Sequence, residues 1–152
     1  MPLTIVLVEP QIPGNTGAVG RTCVGLGAEL VLIHPLGFAL DDARAKRAGL
    51  DYWPHVRLSE FADWDAFVSA HQPRSDQLFL FEEHASTSFY EPAYPQDAML
   101  VFGQETTGIP STIWQRYPGR QFHLPMRDGP IRSLNLANTV AAAAYQALRG
   151  RF

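Results

Sequence analysis

Met99-Leu100-Val101-Phe102-Gly103-Gln104-Glu105-Thr106-Thr107-Gly108-Ile109-Pro110 is the stretch from which the fold is read. Four apolar residues stop at a glycine, as a buried strand does where the chain leaves a sheet. Gly103 at that exit admits the flat face of a ligand close to the backbone, and Gly108 suits a position of positive φ. Pro110 is a natural first-turn residue for a following helix. Glu105 stands between the glycines without a basic neighbour in sequence. Its placement fits either an idle surface acid or a carboxylate facing a cationic ligand.

Working outward, short apolar runs of the same kind stand at Thr4–Val8, 30–33, Leu78–Phe81 and 122–124, each bounded by Pro, Gly or charge. Such runs are the mark of strands buried on both faces of a parallel sheet. Helical spacing falls between them, over about 16–26, 41–48, 61–70, 110–116 and 135–149. In the third of these Phe61, Trp64, Phe67 and Val68 share one face. Strand and helix alternate, which predicts an α/β fold with a mainly parallel sheet flanked by helices. Residues 1–152 read as a single domain, and ligands in such folds sit at the carboxyl ends of the strands.

Composition narrows the class. Hydrophobic residues make up 46% and charged ones 18%, which excludes a disordered chain. No apolar run reaches membrane-spanning length, and the N-terminus lacks a signal-peptide pattern, so a cytoplasmic protein with no membrane partner is expected. A single cysteine, Cys23, excludes an intrachain disulfide and any cysteine-based zinc site. The histidines at 34, 55, 71, 84 and 123 are scattered without ligand spacing, so no metal is expected. The net charge of −3 hides a division. Residues 1–105 hold fourteen acids against six bases, while 106–152 hold six arginines against Asp128 alone. This asymmetry hints at an anionic partner, and arginine is the side chain that grips phosphate in a fork.

Three further loops begin where strands stop. Glu9-Pro10-Gln11-Ile12-Pro13-Gly14-Asn15-Thr16-Gly17 leads toward Arg21; its glycines at 14, 17 and 20 do not make the GxGxxG of a dinucleotide site. Asn15 and Thr16 are good helix caps. Arg21, about a turn beyond Gly17, is poorly placed for the helix dipole, which favours a functional role. Glu82-Glu83-His84 reads as a solvated acidic turn. The last loop, shaped by Pro125, Gly129 and Pro130, delivers Arg132-Ser133-Leu134-Asn135-Leu136-Ala137-Asn138 to a thin, alanine-rich helix. Ser133 or Asn135 can cap that helix, yet capping uses one side chain and four polar ones stand within seven residues. The surplus suits a ligand rich in oxygen atoms.

Three of these signatures, in this order, resemble the SpoU branch of the SPOUT superfamily of RNA 2′-O-methyltransferases. They are Asn15-Thr16-Gly17 with Arg21; Phe102 to Pro110; and Leu124-Pro125-Met126 with Ser133 to Asn138. The short length and the segment Arg47-Ala48-Gly49-Leu50-Asp51-Tyr52 are similar to the TrmL type, which methylates the wobble nucleotide (cytidine or uridine) of tRNA. The resemblance implies a C-terminal trefoil knot, S-adenosylmethionine as methyl donor, a homodimer and a tRNA anticodon stem-loop as substrate, with tRNA-Leu isoacceptors expected. Carried over by position, Phe81, Gly103, Leu124, Ile131 and Ser133 would bind the donor. Arg21, Asn15, Glu105, Ser133 and Asn135 would surround the reacting groups, and Arg21, Arg132 and Tyr145 would meet the RNA. The Glu82-Glu83-His84 turn departs from the type, where a small or basic turn is usual. A relative acting on ribosomal RNA or another tRNA position, and a non-catalytic RNA-binding module, are the alternatives; the chain has no room for a separate RNA-binding domain.

Overall fold

The computed structural model describes residues 2–40 and 52–152. The helix expected over 41–48, and residues 47–51 of the TrmL-like segment, lie outside the described residues.

Alternation along each strand explains the layers. In β1 (Thr4–Val8), Ile5 and Leu7 face one cluster of buried residues while Val6 and Val8 face another. The same division holds in β2 (Glu29–Ile33), where Leu30 and Leu32 oppose Val31 and Ile33. Both faces are therefore covered, as the continuous apolar runs require. β3 (Arg57–Phe61), β4 (Leu78–Phe81), β5 (Thr87–Ser88), β6 (Met99–Phe102) and β7 (Gln121–His123) complete, among the described residues, a seven-stranded sheet in the order β3-β2-β1-β6-β4-β7-β5. Every strand pair in it is parallel.

On one face α1 (Pro13–Leu26) packs against α4 (Leu136–Ala147), over Val19, Cys23, Val140, Ala143 and Ala144. The alanines keep α4 thin, so it sits close to the sheet. Burial pushes the Cys23 thiol up to about 12, which leaves it an inert core group. On the other face α2 (Trp64–His71) and α3 (Ser111–Trp114) cover the second cluster with Trp64, Phe67 and Ile113.

β1, β4 and β6 occupy the expected residues. Three expectations are corrected. First, α1 starts at Pro13 with Ile12 before it and no side-chain cap, so Asn15 and Thr16 are helical rather than capping. Proline at a first helical position gives up no needed N–H, and its fixed φ starts the turn early. Arg21 consequently stands mid-helix, and the argument from the dipole at the N-terminus no longer applies. Second, β3 takes Phe61 out of the expected helix; α2 begins at Trp64, after Asp63 caps it through Ala66 N at 2.8 Å. Arg57–Phe61 is a half-exposed edge strand without an apolar run, held by backbone pairing to β2. Third, Pro110 is the residue before α3 rather than its first turn, and the 122–124 strand lies at 121–123.

Candidate active site

The loops that follow β4, β6 and β7 meet in one cleft at the carboxyl ends of these strands. Phe81, Phe102, Leu124, Met126, Leu134 and Leu136 provide its apolar walls, and the 103–108 loop its floor. Glu82, Glu83 and Glu105 also line it, while no lysine or arginine does, among the described residues.

The 103–108 loop folds back on itself. A Cβ on Gly103 would stand 1.9 Å from the carbonyl carbon of Gly108 and 2.1 Å from Ile109 N. The close approach that requires glycine on the Cβ side is therefore made by the chain's own backbone, while Gly103 also lines the cleft. Gly108 has φ +73, as its position in the loop suggested.

Glu105 is not idle. Its carboxylate accepts from Gln11 N at 3.0 Å and from Ile12 N at 3.1 Å. Two loops more than ninety residues apart in sequence are thereby clamped together, ahead of the first turn of α1. Glu82 also departs from the reading of a solvated turn: it is half-buried and accepts from Ile109 N. Its carboxylate lies against Gly108, where a Cβ would come within 2.1 Å of Oε1. Burial raises the Glu82 pKa above the ordinary glutamate value, and the Ile109 N–H opposes that shift.

Beside the cleft Asn135 caps α4, accepting from Ala137 N at 2.9 Å and Asn138 N at 3.3 Å. Its amide nitrogen donates to Asn15 Oδ1 at 3.1 Å, so the first and third signatures touch. Arg21 is exposed on α1, its guanidinium 5.4 Å from the centre of the Tyr52 ring. The Tyr52 hydroxyl in turn donates to the Gly17 carbonyl at 3.1 Å.

Of the other residues singled out from sequence, Phe81, Gly103, Leu124, Glu105 and Ser133 line the cleft. Arg21, Asn15, Asn135, Arg132 and Ile131 are not among its lining residues, and Ile131 is 61% exposed. Tyr145 lies elsewhere, in an exposed patch with Tyr90, Arg149 and Phe152 over the buried Phe89. The basic C-terminal third is divided. Arg116 pairs with Asp65, Arg120 donates to Leu78 O and lies over Phe79, and Arg151 donates to Tyr94 O. Arg127, Arg132 and Arg149 are left exposed. Sequence reasoning gave Thr139 no role and read the half-buried Glu82 as solvated; the signal for Glu82 was its place immediately after the apolar run of β4.

A parallel sheet with a cleft between glycine-shaped loops at its carboxyl edge defines a ligand-binding α/β domain. The SpoU rRNA Methylase family model matches residues 2–145, and the chain belongs to that family. It is 47% identical over 146 residues to a tRNA (cytidine(34)-2′-O)-methyltransferase of Burkholderia ambifaria, spanning 95% of this chain and 93% of the relative. A solved structure from work on the 2-OH methylation of C/U34 on tRNA superposes with a TM-score of 0.90 at 46% identity, covering 97% of this chain and 94% of that one. The SpoU methyltransferase AviRb from Streptomyces viridochromogenes, in complex with AdoMet, shares the fold at a TM-score of 0.86 and 24% identity, covering 99% of this chain and 58% of that one.

Proposed function

We propose that the chain transfers a methyl group from S-adenosylmethionine to the ribose 2′-hydroxyl of the wobble nucleotide, cytidine or modified uridine 34, of tRNA. The observation that carries this reading is the convergence of the three signature loops, joined by the Glu105 clamp and the Asn15–Asn135 hydrogen bond. Support for the substrate comes from the relatives that match almost the whole chain.

The cleft fits the methyl donor. Its apolar walls suit an adenine ring, its strand-end loops present backbone groups outside the sheet, and its carboxylates Glu82 and Glu83 suit a cation. Phe81, Gly103, Leu124 and Ser133 would hold the donor, with Ile131 closing from the exposed loop. Bound there, S-adenosylmethionine supplies a methyl group on a sulfonium, open to in-line displacement by a ribose oxygen. The protein's part is chiefly to position the two reactants, which can contribute several kcal/mol. Glu105 keeps the loop before α1 against the cleft, and Asn135 keeps Asn15 there.

Arg21 is a poor general base because a guanidinium stays protonated. Its role is to stabilise the developing alkoxide or the neighbouring phosphate, with Tyr52 holding it by ring contact. The exposed Arg127 and Arg132, on the loop leading to α4, meet the phosphates of the anticodon stem-loop. Tyr145, Tyr90 and Phe152 form an exposed aromatic patch on α4 and its surroundings, which suits a homodimer contact. The reading also includes one domain, the family's C-terminal knot, tRNA-Leu isoacceptors as substrates and a cytoplasmic setting. Among the described residues no helix is long and apolar enough to cross a membrane.

The test incubates purified protein with methyl-labelled S-adenosylmethionine and tRNA lacking the wobble modification. Nuclease digestion and mass spectrometry then locate the label. Label on the 2′-oxygen of nucleotide 34 is expected. Donor binding with label elsewhere, or with none, overturns the wobble assignment, and absence of donor binding overturns the methyltransferase reading.

A further inference from the structure

The three carboxylates on the cleft are not equivalent. Glu105 spends both oxygens on the N–H groups of Gln11 and Ile12. Glu83 is exposed to solvent. Glu82 is half-buried over Gly108, and the N–H of Ile109 donates to its Oε1. Among the described residues Oε2 has no hydrogen-bond or ion-pair partner. Among the described residues no lysine or arginine lines the cleft to balance it; besides the Ile109 N–H, only the His84 imidazole, packed on Trp114 with ring centroids 5.1 Å apart, favours its charged form. A carboxylate half-withdrawn from water with no lysine or arginine beside it is costly, and a cationic ligand supplies the missing charge. Methyl transfer removes that charge: the donor is a sulfonium with one net positive charge, and the product left behind is a neutral sulfide.

We propose that Glu82 makes the cleft discriminate between S-adenosylmethionine and S-adenosylhomocysteine, holding the donor by its sulfonium charge and releasing the product, a zwitterion whose sulfur is neutral. The proposal rests on the methyltransferase reading above and adds a residue that its signatures do not contain. Discrimination of this kind relieves product inhibition.

Calorimetric titration of the wild-type protein and of Glu82→Gln tests it without a turnover assay. The ligands are S-adenosylmethionine, S-adenosylhomocysteine and sinefungin, whose amine places a positive charge near the sulfonium position. Wild-type protein is expected to favour the two cationic ligands. Glu82→Gln keeps an acceptor for Ile109 N but loses the charge. It should weaken both cationic ligands by about tenfold while changing S-adenosylhomocysteine by less than about twofold. Equal losses for all three ligands would reduce Glu82 to a loop clamp and overturn the proposal, as would no loss at all. If the variant does not fold, the wild-type titrations decide alone: affinity for the donor no greater than for the product overturns the role of Glu82 and leaves the methyltransferase reading standing. Wild-type protein that binds neither the donor nor the product overturns both.

Discussion

The two faces of the sheet can be compared through the helix caps on each. On one face Asn135 caps α4 with its carbonyl oxygen and still has an amide nitrogen to donate to Asn15 on α1. On the other face Asp63 caps α2 through Ala66 N, and a carboxylate has no donor to spare. There the contacts are made by rings: the Trp64 indole of α2 donates to the hydroxyl of Tyr117, just beyond α3, at 3.1 Å, and within α2 Phe67 packs on Trp64 and His71. No residue of α2 or α3 lines the cleft. Apolar burial is thorough on both faces, so it does not mark where the chemistry lies. The marker is a polar side chain with hydrogen-bonding capacity beyond its structural duty, placed where distant loops meet.

The severest challenge to this contrast is Gly103→Ala on the cleft side. The added methyl overlaps backbone of Gly108 and Ile109, so a loss of about 3 kcal/mol is expected in urea unfolding, together with loss of donor binding. A melt unchanged from wild type would show that the loop has room the geometry denies. Next comes Arg21→Ala, which should lower methyl transfer by about a hundredfold or more while leaving the thermal midpoint nearly unchanged, because the side chain is exposed. Arg21→Lys should recover little of it, since the fork is lost; near-normal turnover by the lysine variant would exclude bidentate recognition.

Asn135→Ala sharpens the comparison at the cap itself. Removing a cap costs about 1 kcal/mol, and here the contact to Asn15 goes with it, so turnover should fall by more than stability alone explains. Asn135→Asp preserves the acceptor but removes the donor; it should restore the melt and not the activity. Equal recovery of both would make Asn135 a cap and nothing more. The smallest effect belongs to the other face. Asp65→Asn breaks the exposed pair with Arg116, 2.7 Å in length, and neither the melt nor methyl transfer should change measurably.

Much of this was legible beforehand because it is local. Thr4–Val8, Leu78–Phe81 and Met99–Phe102 are strands at their expected bounds, since an apolar run bounded by turn residues has few other places to go. Asn135 was one of two expected caps, and the positive φ of Gly108 followed from residue type. β3 was not legible, because the residues of an edge strand are chosen by a neighbour's backbone rather than by burial. The start of α1 was hidden among prolines and glycines that read equally well as a loop.

The side chains of the site divide in the same way. Sequence by itself determined the parallel α/β layering, the loops that carry function and the capped, thin final helix, because these depend on periodicity and on backbone preference over a few residues. Only the tertiary structure decided which acid was spent and which was not. Glu105 looked isolated and is fully engaged by Gln11 and Ile12; Glu82 looked solvated and is half-buried against Gly108. A carboxylate's hydrogen bonds and its exposure to water depend on what the fold brings within about 3 Å of its oxygens, and here those partners come from segments far away along the chain.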